Sequence, residues 1–319
     1  MGIRTLVCIA ALVLAAPAVA QQYPSKPVRL IVPFAAGGPT DVIARVVAQK
    51  LSEAWGQQVV TENIPGAGGN TGVAMAARAA PDGYTMLVVS TGFMVNPSMY
   101  SKIPYDPVKD FSPVTLVAAS PNVISVHPTF PGKTLKELIE IVKANPGKHS
   151  FAQPSIGSTP HLAGELFKQD YRLDLVTVPF NSAALAINST IGGHTPLAFT
   201  ALPPAMSNIK EGKLRGLAVL STKRSPALPE VPTNAEAGVG GLESDTLTGI
   251  VAPAGTPKEI IDRWRSDIVK MVAMPEVKQR LETLGFAPVA NTPDEFGQRI
   301  KAEIARWGKV VRDAGIKAD

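Results

Sequence analysis

The stretch VRLIVPF (28–34), followed by Ala35-Ala36-Gly37-Gly38-Pro39-Thr40 and then DVIARVVAQKLSEAW (41–55), decides the fold. A short unbroken apolar run is what a strand covered on both faces requires, because a strand with one wet face would alternate. After the glycines, Val42, Ile43, Val46, Val47 and Leu51 recur at helical spacing and form one apolar stripe. Strand, tight turn and helix make a βα unit whose loop lies beyond the carboxyl end of the strand, where open α/β sheets hold ligands. Pro39 suits the first helical position, which makes Gly38 the N-cap and Asp41 the acid of the first turn. The amides of Thr40 and Asp41 then lack an intrahelical acceptor and sit at the positive end of the helix dipole. Two readings stand: a backbone anion site that uses Phe34, Ala35, Ala36, Gly37, Gly38, Thr40 and Asp41, or a capped turn whose amides Asp41 takes for itself.

Outward from this unit the alternation continues. Strand-like runs fall over 59–60, 84–91, 114–119, 123–126, 151–153, 175–180, 197–200 and 214–221. Thr134 and Glu137 form a capping-box pattern opening a helix that stops at Asn145-Pro146-Gly147. Further helices are predicted from about Pro160 and over 183–190. Thr256-Pro257-Lys258-Glu259 and Thr292-Pro293-Asp294-Glu295 each combine an N-cap, a proline and a glutamate. Phe296, Ile300, Ile304, Trp307 and Val311 trace one face of the last helix. Repeated βαβ units predict an α/β fold, each domain a mostly parallel sheet flanked by helices. A chain of 319 residues exceeds what one core covers. Two domains with two crossings are expected, near 119–122 and 240–246. The first domain is then built from 21–120 with 243–319, the second from 121–242.

Composition removes several functions. The chain is 45% apolar and 18% charged, ordinary for a globular protein and wrong for a disordered one. Its net charge of +5 is scattered and its aromatic content is 6%, so a nucleic-acid groove is not expected. Arg4, the apolar run 6–16 and Ala18-Val19-Ala20 match a secretory leader, with a cut before Gln21. Cys8, the single cysteine, lies in that leader, so the mature chain has neither disulfide nor thiolate metal site. Export as a free, soluble protein is the expectation.

Other loops repeat the first design. Gln153-Pro154-Ser155-Ile156-Gly157-Ser158-Thr159-Pro160-His161 places Thr159 as N-cap and Pro160 at the first helical position. Ser155, Gly157, Ser158, Thr159 and His161 are its candidate ligand residues. Phe180, Asn181 and Ser182 precede another helix, Thr91 and Phe93 follow the strand over 84–91, and Thr200 ends the strand over 197–200. Helix starts approaching from two domains would clamp a carboxylate, each charge-assisted hydrogen bond contributing roughly 1.5–3 kcal/mol when desolvated. Enzyme signatures fail. Pro65 to Gly72 is glycine-rich, but Thr71 stands at the third glycine of a dinucleotide fingerprint, so a loop beside the cleft or a surface turn is the expectation there. The four histidines lack zinc spacing, and His161 with Glu165 reads as a surface i,i+4 contact. Asp106 and Asp110 read as an Asx-turn rather than paired catalytic acids. No cofactor and no metal is predicted.

The leader, Tyr23-Pro24-Ser25-Lys26-Pro27, Val32-Pro33-Phe34 with Gly37-Gly38 and Asp41, and Pro65-Gly66-Ala67-Gly68-Gly69-Asn70 together resemble the Bug family, periplasmic solute-binding components of tripartite tricarboxylate transporters. Pro81-Asp82-Gly83-Tyr84-Thr85, Tyr105-Asp106-Pro107, His161-Leu162-Ala163-Gly164-Glu165 and Ala252 to Pro257 extend the resemblance over the whole mature chain. It implies a two-domain periplasmic-binding-protein ("Venus flytrap") fold that binds a small organic mono- or dicarboxylate, is no enzyme, and docks on membrane permease subunits. The same closure would serve a receptor that signals to a membrane sensor kinase, and an exported carboxylate-processing enzyme is a third reading. The family's ligand loops fall on 34–41 and 157–161. This chain departs from the family at Phe180-Asn181-Ser182, where Tyr-Lys-Gly is usual, at His194-Thr195-Pro196, and at Leu247, where a tryptophan is frequent. The first departure removes a phenol and a cation from the expected pocket floor, which predicts a more apolar distal end.

Overall fold

The computed structural model describes residues 23–318. The predicted leader and Cys8 lie outside these residues. The decisive stretch forms β1 (Val28–Val32) and α1 (Pro39–Trp55), with Gly38 as N-cap and Pro39 in the first turn, as the sequence predicts. Next come β2 (Val59–Asn63), a 3-10 turn (Ala67–Gly69), α2 (Asn70–Ala77), β3 (Thr85–Ser90) and α3 (Thr91–Met99). β4 (Phe111–Val126) leads into α4 (Leu135–Ala144), β5 (Ser150–Pro154), α5 (Thr159–Tyr171), β6 (Val176–Phe180) and α6 (Ala183–Ile191). Then follow β7 (Leu197–Ala201), α7 (Leu202–Lys210), β8 (Arg215–Val219) and β9 (Asp245–Pro253). The chain closes with α8 (Lys258–Ala273), α9 (Pro275–Thr283), β10 (Ala287–Pro288) and α10 (Pro293–Asp313).

The strands order as β2-β1-β3-β9-β4-β7-β5-β6, with β8 and β10 also on β4. Pairing is parallel in β2-β1-β3 and in β7-β5-β6, the βα units read from sequence. It is antiparallel wherever β4 or β9 takes part. The runs over 114–119 and 123–126 are therefore halves of one 16-residue strand. Its first half pairs with β9 and β10, and its second with β7 and β8. Pro113 is accommodated at a register shift of β4 between Pro113 and Thr115, and a second shift falls between Leu116 and Ala118. β4 and β9 are stitched where the lobes meet: Asn122 Nδ2 donates to Ser244 Oγ at 2.7 Å, and Thr246 Oγ1 donates to Asn122 Oδ1 at 3.2 Å.

Cores form on both sides of these shared strands. In one lobe Leu30, Val47, Met86, Trp264 and Ile268 pack on one sheet face, and Leu87, Phe93, Val251 and Phe296 on the other. In the other lobe Phe151, Phe167, Phe199 and Leu138 form the main cluster, and Ile187, Leu202 and Val219 the second. The predicted face of α10 is real: Phe296, Ile300, Trp307 and Val311 are buried, with Ile304 packed at the edge.

Several local expectations are corrected. Thr256 does not cap α8; its hydroxyl donates to the Pro253 carbonyl at 2.8 Å, so Pro257 takes the cap position. Thr134 caps α4 through Glu137 N–H, but the Glu137 carboxylate accepts from Lys133 N–H instead of closing the box. Helices α2, α3 and α7 stand where the sequence indicates none. α3 carries Pro97 inside it and mixes Phe93, Met94, Val95 and Met99 with Thr91, Asn96 and Ser98 around its circumference, so it lacks an amphipathic stripe. α7 starts Leu202-Pro203-Pro204, prolines that the first helical turn tolerates. The Asx-turn reading holds: Asp106 Oδ1 accepts from Val108 and Lys109 N–H.

Candidate functional site

A cavity of about 600 Å³ lies between the lobes. Five helices start at its wall. The N-cap residues of α1 (Gly38), α3 (Ser90), α5 (Ser158), α6 (Ser182) and α7 (Ala201) all line it. Two of these helices belong to one lobe and three to the other. Each start is the positive end of a helix dipole, but the free amides are unequal: α7 opens Leu202-Pro203-Pro204 and lacks N–H groups at its second and third positions, and Ser158 and Ser182 each accept one amide of their own helix. Among the described residues, no Lys, Arg, Asp, Glu or His side chain lines the cavity. The positive potential is thus supplied by backbone, with hydroxyls of Thr40, Ser155, Ser158, Thr159 and Thr246 around it. The rest of the wall is largely apolar, with Phe34, Met99, Ile156 and Pro204.

The first loop is held from behind. Asn63 Nδ2 donates to the Phe34 carbonyl at 3.0 Å and to Asp41 Oδ1 at 2.9 Å. Asp41 Oδ2 accepts from Gly37 N–H at 2.9 Å and from Arg45 Nε at 2.8 Å. Burial alone would raise the Asp41 carboxyl, but the hydrogen bonds from Arg45, Gly37 and Asn63 hold it below the usual carboxylate range. Asp41 therefore takes the amide of Gly37 rather than those of the helix start. Phe34, Ala35, Ala36, Gly37, Gly38 and Thr40 line the cavity, and Asp41 lies outside the lining.

The second loop mirrors it. Ser158, not Thr159, is the N-cap: its Oγ accepts from His161 N–H at 3.4 Å and donates to the Pro154 carbonyl. Thr159 moves into the first turn with Pro160 behind it. Ser155, Gly157, Ser158 and Thr159 line the cavity, but His161 does not. His161 is buried, its Nδ1 accepts from Gly157 N–H at 2.9 Å, and its Nε2 lies 3.7 Å from Glu165 Oε1. The expected surface contact between His161 and Glu165 is thus a buried pair, because α5 is covered by the sheet on one side and by α10 on the other.

The remaining candidates divide. Ser182 lines the cavity and caps α6 by accepting from Leu185 N–H at 3.3 Å. Phe180 packs toward Ala152, Ala186 and Ala198, so neither it nor Asn181 is in the lining, and the expected pocket floor reduces to Ser182 and Ala183. Thr200 is buried within β7. Thr91 turns to β9, accepting from Leu247 N–H at 3.0 Å, and Phe93 enters the core. What sequence reading missed is the opposite face of α3. Gly92, Asn96, Met99 and Tyr100 follow helical spacing along the cavity wall. The glycine-rich segment contributes Gly68, whose carbonyl accepts from Asn96 Nδ2 at 3.0 Å.

Two lobes joined by paired strands, with a cleft walled by helix starts, define the periplasmic-binding-protein class. The chain belongs to the tripartite tricarboxylate transporter family of receptors (TctC), whose model matches residues 43–316. It is 37% identical over 306 residues to Protein BugT of Bordetella pertussis, covering 95% of this chain and 94% of that one. It is similar in structure to R. palustris Rpa4515 with adipate, at TM-score 0.83 and 35% identity, covering 92% of this chain and 99% of that one. It is also similar to MatC from Rhodopseudomonas palustris with bound malate, at TM-score 0.78 and 31% identity, covering 91% and 100%. The family consists of substrate-binding receptors rather than enzymes.

Proposed function

We propose that this protein captures a small organic mono- or dicarboxylate between its lobes and delivers it to the membrane subunits of a tripartite tricarboxylate-type transporter. The observation that carries this reading is the meeting of five helix N-caps around a cavity lined by no charged side chain. Such a wall favours an anion without a fixed cation, and adipate and malate in the related structures are anions of that kind. Phe34, Met99 and Ile156 favour a ligand with an apolar body behind its carboxylate. The lobes are assigned to 21–120 with 243–319 and to 121–242, opening about β4 and β9. The mature chain begins at Gln21 and works as a periplasmic monomer. Among the described residues no helix is long and apolar enough to cross a membrane.

Isothermal titration of ligand-stripped protein against adipate, malate, citrate and benzoate tests the reading. Binding near micromolar, about −8 kcal/mol, is expected for at least one carboxylate. Heat from none of them would remove carboxylates as the ligand class, and tight binding of citrate alone would remove the apolar body.

A further inference from the structure

The two loops facing each other across the cleft share one device. The amide of Gly37, at φ +87°, donates to Oδ2 of Asp41 at 2.9 Å. The amide of Gly157, at φ +76°, donates to Nδ1 of His161 at 2.9 Å. Each bond ties a left-handed glycine to a side chain four residues on, in the first turn of the following helix. The acceptors differ in chemistry. Asp41 is an anion fixed by Arg45 and Asn63. His161 accepts only while Nδ1 carries no proton, so its single proton sits on Nε2, facing Glu165. A doubly protonated ring has an N–H on both nitrogens and offers Gly157 nothing.

We propose that neutral His161 is the positioning residue of the second loop, and that a proton arriving on its Nδ1 releases Gly157 and weakens ligand capture while the Asp41 bond in the opposite lobe persists. This rests on the carboxylate-receptor reading for the ligand and on geometry alone for the loop. Ser155, Gly157 and Ser158 line the cavity, so release of Gly157 moves wall atoms directly.

The surroundings are arranged to keep the ring neutral. Burial acts most strongly and holds the imidazole below its ordinary value; Glu165 favours a proton and Lys168 opposes one. Glu165 is itself occupied, with Lys168 Nζ 2.9 Å from its Oε2 and Thr177 Oγ1 of β6 donating to its Oε1. The elements packed on α5 are strands of the sheet and α10. The α10 side chains in the cluster shared with Leu162 are Trp307, Val310 and Val311, none of them charged. The charged neighbours of Trp307 are engaged elsewhere, Glu303 with Trp307 Nε1 and Arg299, and Arg306 with the Glu243 carbonyl. From the other lobe the uncharged Met99 meets Gly157.

The test is amide hydrogen exchange and ¹⁵N NMR of the whole protein from about pH 7.5 to about pH 4.5, a span that brackets histidine titration. Adipate titrations run over the same range. The Gly157 protection factor, exchange measured against the intrinsic rate at each pH, should fall at the midpoint at which His161 titrates. Affinity for the adipate dianion, corrected for adipate's own protonation, should fall about tenfold per pH unit below it, as one linked proton demands. In His161→Asn, Oδ1 replaces Nδ1 as an acceptor that does not titrate, so both profiles should flatten. Lys168→Met should move the midpoint up and Glu165→Gln should move it down, which separates positioning from mere packing should the Asn variant fold poorly. A Gly157 protection factor unmoved across the His161 midpoint, or an adipate profile equally steep in His161→Asn, overturns the proposal. Absence of adipate binding at every pH counts against adipate as the ligand and leaves amide exchange to decide the role of His161.

Discussion

Met99 of one lobe lies against Gly157 of the other so closely that a Cβ on Gly157 would stand 2.0 Å from the Met99 sulfur. The contact joins the loop that starts α5 to the helix that lines the opposite wall. Leu162, Val95 and Trp307 continue it as a small apolar cluster shared by α3, α5 and α10. The lobes therefore touch along one edge of the cleft as the sheet and crossing strands hold them along another. The contact requires a glycine here for two reasons: its φ of +76° and the absence of a side chain.

Gly157→Ala accordingly acts on closure. The φ strain costs about 1 kcal/mol. The added methyl displaces Met99, a flexible side chain, so the fold survives. Carboxylate affinity should drop by tenfold or more, since the methyl wedges the lobes. Titration calorimetry beside a denaturant curve distinguishes the two effects; an affinity loss no larger than the stability loss would contradict a wedge.

Gly38→Val probes the other loop. Gly38 has an ordinary φ of −76°, and a Cβ there meets nothing nearer than the Ala35 carbonyl at 3.9 Å. The backbone tolerates the substitution, while the isopropyl group occupies the cavity at the start of α1. Stability should change by less than about 1 kcal/mol, and ligand binding should disappear. Retained affinity would take this helix start out of the site.

Thr292→Ala tests the capping box that sequence and structure share. Thr292 Oγ1 accepts from Glu295 N–H at 3.2 Å, and Glu295 Oε2 accepts from Thr292 N–H at 2.8 Å. Loss of the hydroxyl should cost about 1 kcal/mol in a urea titration with unchanged slope. Ligand affinity should stay as it is, because α10 lies outside the cavity lining.

How legible the site is in the sequence follows from how local each signal is. The β1–α1 loop is legible because an apolar run, two glycines and a proline determine strand, turn and cap without help from elsewhere. The second loop is legible to within one residue: Ser158 and Thr159 are both good caps, and only the bond from Ser158 to the Pro154 carbonyl selects between them. The wall supplied by α3 is not legible. Thr91 and Phe93 look like strand-end candidates, yet the helical phase turns them to β9 and the core and brings Gly92, Asn96 and Met99 to the cleft. The burial of His161 is hidden for the same reason, since an i,i+4 spacing fixes a helix face and says nothing of what covers it. The unbroken course of β4 depends on pairing with β9, a partner more than a hundred residues away.

Two buried tyrosines contribute a loss of stability at alkaline pH. Burial raises the Tyr23 and Tyr105 hydroxyls from 10.0 to about 12, against the opposing bonds from Trp264 and Asn96. Tyr23 accepts from Trp264 Nε1 at 2.7 Å and donates to the Gly83 carbonyl at 2.6 Å, while Tyr105 donates to Asn70 Oδ1 at 2.8 Å. Both donations need the protonated phenol. In the unfolded chain the phenols lose protons near pH 10. The native state then holds protons that the unfolded state has given up, so stability falls as pH rises. The contribution is complete below about pH 10 and is lost as pH climbs through about 12. Tyr105→Phe removes one of the two titrations at the expense of the Asn70 bond. The variant should therefore be less stable at neutral pH and lose less of its remaining stability across that window. Thermal melts from about pH 8 to about pH 12 read the slope directly; equal slopes in both proteins would show that the Tyr105 hydroxyl is not held protonated by the fold.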